Sequence, residues 1–264
     1  MRFVRFDDQG LPRFGRLDDG RVTPLDAAPW AGGRDAGEAR PFDTLALLPP
    51  VPPGGKILCI GRNYLAHAKE LGNEVPAEPL VFLKPATALL PHGGTVLLPP
   101  ESERVDFEGE LALVIGRRAR RVGPGAYGDV VFGVTPALDI TARDLQKKDG
   151  QWWRAKGFDT FCPCGPVVES GVDASDLSLR TTLDGEVKQD GRTSRMIFDL
   201  PTLVSWVSQA MTLEPGDLLL TGTPEGVGPL AHGQLLELEI EGLPRLSVRV
   251  ARESQSDPGR PGPT

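Results

Sequence analysis

Apolar positions in this chain fall into short, separated runs, and their spacing sorts them into many strands and few helices. The stretch Val105-Asp-Phe-Glu-Gly-Glu-Leu-Ala-Leu-Val-Ile-Gly116 is the clearest case. Its second half is an unbroken apolar run, of the kind buried on both faces of a sheet. Comparable runs predict strands at 2–6, 56–60, 79–83, 95–98, 111–115, 130–134, 177–187, 217–221 and 235–240. Asp19-Gly20, set between two short runs, predicts a hairpin turn. Helical spacing is limited to 64–71, 143–148 and 200–211. In the last of these Leu200, Leu203, Val204, Val207, Ala210 and Met211 keep one apolar stripe.

Strands this short and numerous, with 32 glycines and 26 prolines, predict a β-rich α+β fold: a roll or barrel with a few covering helices. Pro49-Pro-Val-Pro-Pro-Gly-Gly55 continues neither helix nor sheet. It sets a boundary between a small N-terminal β-containing domain over 1–54 and a larger domain over 55–250. The polar, Pro/Gly-rich end, 251–264, is expected to be a disordered tail.

Charge and composition narrow the function. A formal net charge of −7 argues against a nucleic-acid groove. The densest basic patch, Arg117-Arg-Ala-Arg-Arg121, follows a strand and precedes Gly123-Pro-Gly125, as a solvated turn would. No apolar run approaches the ~18 residues of a membrane span, and the first residues lack the apolar core of a signal peptide. A cytoplasmic protein is expected. Three cysteines, Cys59, Cys162 and Cys164, form no framework spacing and fit a reducing compartment.

The candidate chemistry starts from the carboxylates. Residues two apart on a strand share a face, so Asp106, Glu108 and Glu110 are expected to point one way, with Gly109 allowing a close approach to the backbone. Carboxylates that close in a partly dry site require a raised pKa, a basic neighbour or a cation. A third acid, Asp139, follows another apolar run and precedes Ile-Thr-Ala-Arg-Asp144, where Thr141 and Asp144 fit a helix-capping pattern. Three carboxylates without a thiolate or imidazole cluster suit a hard cation, Mg²⁺ or Mn²⁺. The alternative is pairing of the two glutamates with Arg104, Arg117 or Arg118 at a sheet edge.

His67 and Glu70 are three apart on a short helix that follows a buried strand, so they share a helix face and can form a base held by an acid. An ordinary surface pair is the plainer reading. Lys84 ends a strand, and Lys156 stands among aromatics, placed to meet an anion or to snorkel. Leu220-Thr-Gly-Thr-Pro-Glu-Gly-Val-Gly228 is a Gly-rich turn whose N–H groups, with the Thr223 hydroxyl, suit a carboxylate.

Taken together and in this order, "GRNYLAHAKE", "FLKP", "DFEGELALVIG", "DITARDLQKKDGQWWRAKGFDTF", "TSRMIFDLPTLVSWVS" and "LEPGDLLLTGTPEGVG" resemble the fumarylacetoacetate hydrolase superfamily. The resemblance covers roughly residues 55–245 and is nearest the branch with acylpyruvases, oxaloacetate decarboxylases and 2-hydroxyhepta-2,4-diene-1,7-dioate isomerases. It implies a mixed β-roll, a homodimer, and a divalent metal, Mg²⁺ or Mn²⁺, held by Glu108, Glu110 and Asp139. It further implies a water-activating dyad of His67 and Glu70, a catalytic Lys156, and substrate contacts from Arg143, Gln146 and Thr223. Arg195 and Glu225 depart from the residues common in relatives.

The implied activity is cleavage of a C–C bond in a small 2-oxo acid, of acylpyruvate or oxaloacetate type, through a stabilised enolate. A second reading is the isomerase of an aromatic-degradation pathway, with decarboxylation of the related tricarboxylate. A third, from another class, is a non-catalytic β-rich binding protein stabilised by its metal.

Overall fold

The apolar run 111–115 is the spine of the fold. The computed structural model of the chain describes residues 1–70, 72 and 74–253, so Leu71 of the expected helix and residues 254–264 of the expected tail lie outside the described residues. Gly109–Ile115 is buried at every position and lies inside a 13-stranded sheet. On one side it pairs antiparallel with Val131–Leu138, Glu110 opposite Ala137 and Leu113 opposite Val134. On the other it pairs with Leu218–Leu220. That strand runs parallel to Ile57–Gly61, which in turn pairs with Leu80–Lys84 at the end of the sheet.

In the opposite direction the same sheet continues through Val168–Glu169 into Arg2–Asp8, so the N-terminal strands extend the large sheet. The hairpin at Asp19-Gly20 joins Leu11–Asp18 to Arg21–Pro24 as expected. Val4, Phe6, Val22 and Val167 form a small core of their own beneath these strands. A five-stranded sheet, Glu186–Arg192, Ser178–Leu183, Leu235–Ile240, Leu246–Arg252 and Thr95–Leu98, closes over the main core. The strand expected over 177–187 is therefore a hairpin, turning at Asp184 and Gly185 with positive φ. Residues 251 and 252, expected in the tail, complete a strand.

Leu200–Ala210 covers the core with Leu203, Val204 and Val207 fully inward. Its start is capped by Asp199, whose carboxylate accepts from Thr202 N–H at 2.9 Å. Arg120 donates to the carbonyls of Ser208 and Gln209 at its end. Part of the basic cluster thus closes a helix terminus, which its sequence did not indicate. Among the described residues no helix is long and apolar enough to cross a membrane.

Candidate metal centre and active site

Glu108 sits where the chain changes sheets. Val105–Phe107 belongs to a three-stranded sheet with Thr141–Ala142 and Gly228–Pro229, whereas Gly109–Ile115 belongs to the large sheet. The break at Glu108, rather than simple alternation along one strand, sets the two glutamates beside each other. Gly109 is required there: a Cβ would lie 2.1 Å from Thr181 Oγ1 and 3.1 Å from Gln189 Oε1. Asp139 arrives from the end of Val131–Leu138, its N–H donating to the Glu108 carbonyl at 2.9 Å. One oxygen from each of Glu108, Glu110 and Asp139 lies within 4.8 Å of the others, and all three residues are buried.

Three buried cations surround these acids. Arg143 donates to Asp106 at 2.9 Å, to Glu108 at 2.5 Å and to Gln146 at 3.0 Å. Lys156 donates to Glu108 at 2.7 Å and to Asp139 at 2.6 Å. Lys84 lies 2.7 Å from Asp139 Oδ1, while its N–H groups are taken by the carbonyls of Ile140, Lys156 and Phe161. The expected edge pairing with Arg117 or Arg118 does not occur, since Arg118 meets Glu214. Arg104 pairs with Asp106 instead.

Electrostatics separate the triad. Burial alone would raise the Glu108 pKa, but the Arg143 and Lys156 charges outweigh it and hold the carboxyl well below its usual range. Glu110 moves the other way, pushed well up by burial and then by the Asp139 and Glu108 charges. It accepts a hydrogen bond from Gly222 N–H at 2.7 Å and has no ion pair among the described residues. Burial would lower the Lys156 pKa; Asp139 and Glu108 raise it instead.

The donor set fits a hard divalent cation. All three donors are carboxylate oxygens. Glu110 lacks a cationic partner among the described residues although it is buried beside the Asp139 and Glu108 charges. That arrangement is costly without a further positive charge at the centre.

The Gly-rich turn does hold carboxylates, but they are the chain's own. Gly222 N–H holds Glu110, and Gly226 N–H holds Glu70 at 3.0 Å. Gly222 has φ 97°, and a Cβ there would lie 2.7 Å from the Asn63 Cβ, so the turn admits no side chain. The other oxygen of Glu70 is 3.3 Å from His67 Nδ1, on the helix Leu65–Glu70. The same turn therefore anchors a metal-ligand candidate and the acid of the dyad. The Thr223 hydroxyl donates to the Gly109 carbonyl at 2.8 Å and accepts from Gln189 at 2.7 Å.

Of the nine side chains singled out in the sequence, His67, Glu108, Glu110, Asp139, Arg143, Gln146, Lys156 and Thr223 line one cavity of about 270 Å³. Glu70 stands behind His67. Ile60, Phe82 and Trp152 form an apolar wall, and Gly61, Arg62 and Lys147 complete the lining. The capping role expected of Thr141 and Asp144 is corrected. Thr141 is buried in a strand and bonds to the Asp139 carbonyl, while Asp144 accepts from Ser102 and from Glu103 N–H. Arg195 and Glu225 lie outside the cavity lining.

Two residues carry more than the sequence indicated. Lys84 was visible as a lone cation ending an apolar strand, a signal of burial that is easy to pass over. Gln189 is buried in the polar run Lys188-Gln-Asp190. It accepts from Gly109 N–H at 2.9 Å and donates to Thr223 and to the Pro224 carbonyl.

Buried carboxylates gathered around a small cavity in a β-rich α+β fold define a metal-site enzyme architecture. The chain belongs to the fumarylacetoacetate hydrolase superfamily: residues 56–251 match the model "Fumarylacetoacetate (FAA) hydrolase C-terminal", and residues 1–50 match "Rv2993c-like, N-terminal". The mitochondrial oxaloacetate tautomerase FAHD1 of Arabidopsis thaliana is 48% identical, over 75% of this chain and 92% of its own. The mitochondrial oxaloacetate decarboxylase of Dictyostelium discoideum is 46% identical, over 72% and 90%. The crystal structure of a 2-hydroxyhepta-2,4-diene-1,7-dioate isomerase from Mycobacterium marinum superposes with a TM-score of 0.89 at 40% identity, covering 97% of this chain and 100% of that one. A maleylpyruvate hydrolase from Sphingobium sp. SYK-6, solved with manganese(II) and pyruvate, is 29% identical with a TM-score of 0.80, covering 96% and 100%.

Proposed function

We propose that this protein is a divalent-metal-dependent enzyme that acts on small 2-oxo acids through an enolate, cleaving a C–C bond in an acylpyruvate- or oxaloacetate-type substrate. The observation that carries the reading is the convergence of the buried Glu108, Glu110 and Asp139 with His67 on one cavity. Mg²⁺ or Mn²⁺ held by the three carboxylates would supply Lewis-acid stabilisation of charge developing on the 2-oxo oxygen.

The chain's own residues do the rest. Arg143 and Lys156, fixed by Glu108, Asp106 and Asp139, present cationic groups to the carboxylate and oxo oxygens of the substrate. Glu70 at Nδ1 favours the tautomer in which Nε2 of His67 accepts a proton. In hydrolysis His67 takes a proton from water, and the resulting hydroxyl adds to the distal acyl carbon. The C–C bonding pair then passes to the departing three-carbon fragment, which takes a proton at carbon and leaves as pyruvate. In decarboxylation CO₂ leaves and the pair remains on the same carbon, with no water attack.

The isomerase reading shares the enolate and is supported by the 40%-identical Mycobacterium marinum structure. Simple keto–enol exchange, named for the Arabidopsis relative, would use the same step without bond cleavage. A homodimer is proposed with the family, and the exposed Leu83 and Trp153 offer apolar surface for it. NMR analysis of oxaloacetate, an acylpyruvate and the dienedioate, each with Mg²⁺ and then with chelator, tests the reading. Metal-dependent pyruvate formation supports cleavage. An isomerised dienedioate of unchanged mass transfers the assignment to the isomerase, and inertness toward all three refutes an oxo-acid enzyme.

A further inference from the structure

The sequence sets two tryptophans side by side ahead of Lys156, and the fold gives them different surroundings. Trp153 is 70% exposed, whereas Trp152 is half-buried and lines the catalytic cavity, where it is the largest side chain. The cavity itself is small. Its volume of about 270 Å³ falls below the roughly 300–1,000 Å³ of sites that enclose drug-sized ligands, and a cation at the carboxylates would take part of it.

Trp152 is held firmly in that lining. Its carbonyl accepts from Lys156 N–H at 2.9 Å across the first turn of Trp153–Gly157, which ties it to the lysine that holds Glu108 and Asp139. Its ring meets Phe82 edge to face with centroids 5.3 Å apart, and the Lys156 ammonium stands 5.0 Å from the centre of the same Phe82 ring. Carboxylates, ammonium, phenyl and indole thus form a continuous series of contacts. Phe82 packs in turn against the buried cluster that contains Cys59, Ala112 and Leu220, so the wall is backed by close-packed core. Gly61 makes room for the indole: a Cβ there would lie 3.1 Å from Trp152 Cζ3 and 3.5 Å from Cη2.

We propose that Trp152, braced by Gly61 and Phe82, is a specificity-determining residue that limits the carbon end of the substrate to a short, unbranched chain and excludes aromatic ends. In the oxo-acid reading above, on which the inference rests, the substrate's carboxylate and oxo oxygens go to the carboxylate centre, Arg143 and Lys156. The carbon end is left to the apolar wall, and the wall cannot retreat without disturbing the core behind Phe82. The inference deepens that reading by setting the size class of the substrate.

The test is calorimetric and needs no turnover. The Mg²⁺-loaded protein is titrated with 2-oxobutanoate and with phenylpyruvate, which share the 2-oxo acid head and differ at the carbon end by methyl against phenyl. The wild type is expected to favour 2-oxobutanoate by about tenfold or more, the effect of a pocket too small for the larger group. Trp152→Ala should abolish or reverse the preference, because the space left by the indole accepts the phenyl ring. Trp152→Phe should fall between the two, and carries the same comparison if the alanine variant does not fold. Trp153→Ala, which changes the exposed neighbour, should keep the wild-type ratio. Phenylpyruvate bound as tightly as 2-oxobutanoate by wild type, or one ratio shared by wild type and the Trp152 variants, overturns the inference and leaves the oxo-acid reading intact. Failure of both acids to bind overturns the inference together with that reading.

Discussion

Lys84 lies under Asp139 with its ammonium 2.7 Å from Oδ1, yet its hydrogen bonds go to three main-chain carbonyls, those of Ile140, Lys156 and Phe161. The charge of Lys84 offsets that of Asp139 without occupying its oxygen as an acceptor. With Lys156 at 2.6 Å from Oδ2, Asp139 is flanked by two buried cations.

Lys84→Met should consequently destabilise the protein. It removes one of the two cations beside Asp139 and the donor to three carbonyls, a loss of about 3–5 kcal/mol for a broken buried pair. Urea unfolding of the metal-free variant measures it; a change below about 1 kcal/mol would remove Lys84 from the design of the site.

Glu110→Gln should act in the opposite direction on the metal-free fold. The native state holds the Glu110 carboxyl well above its ordinary pKa, so it binds a proton more tightly than the unfolded chain does. The sign follows: the fold gains from protonation at low pH and loses that gain as pH rises through the raised pKa. At neutral pH the charged form is a burden, and the neutral amide should raise the melting midpoint, by roughly 2–4 °C per kcal/mol relieved. The same variant should lose the stabilisation that Mg²⁺ gives the wild type. Differential scanning fluorimetry at pH 5 and pH 8, with and without Mg²⁺, reads both effects.

Gly109→Ala should prevent normal folding, since the new methyl would meet Thr181 Oγ1 at 2.1 Å. Removing that oxygen in Gly109→Ala/Thr181→Ala should recover part of the soluble yield. No recovery would mean that the Gln189 and Leu238 contacts decide the position instead.

His67→Ala should lower the rate of hydrolysis by about 10²–10⁴-fold, the usual range for a general base, with metal affinity unchanged. Glu70→Gln should show a smaller loss, because the amide keeps a bond to Gly226 N–H while losing the charge beside Nδ1. Equal rates in wild type and His67→Ala would leave decarboxylation or enolisation as the remaining chemistry.

The strands were legible because apolar runs bounded by Gly and Pro specify them locally. Gly109–Ile115, Leu235–Ile240 and the Asp19-Gly20 hairpin follow directly from that pattern. Trp153–Gly157, the helix that carries Lys156, was not legible, since five residues with two basic side chains give no stripe. The Thr141 and Asp144 pattern misled because a capping sequence is local, whereas Asp144 is claimed by Ser102 and Glu103 from another segment.

The site itself was legible as a list of residue types but not as a set of contacts. Glu108, Glu110 and Asp139 stood out as acids beside apolar runs. That Glu108 marks a change of sheet, and that Gln189 ties Gly109 to Thr223, depends on pairings across 80 and 34 residues that no window of sequence contains.

One divalent cation at Glu108, Glu110 and Asp139 is expected to sustain the oxo-acid chemistry. The most direct test is a calorimetric titration of Mn²⁺ into metal-free wild type and Glu110→Gln, with pyruvate formation followed in the same samples. One site per chain is expected in wild type, lost or strongly weakened in the variant, with activity that rises with its occupancy. Binding that survives Glu110→Gln unchanged, or full turnover in chelator, would contradict it.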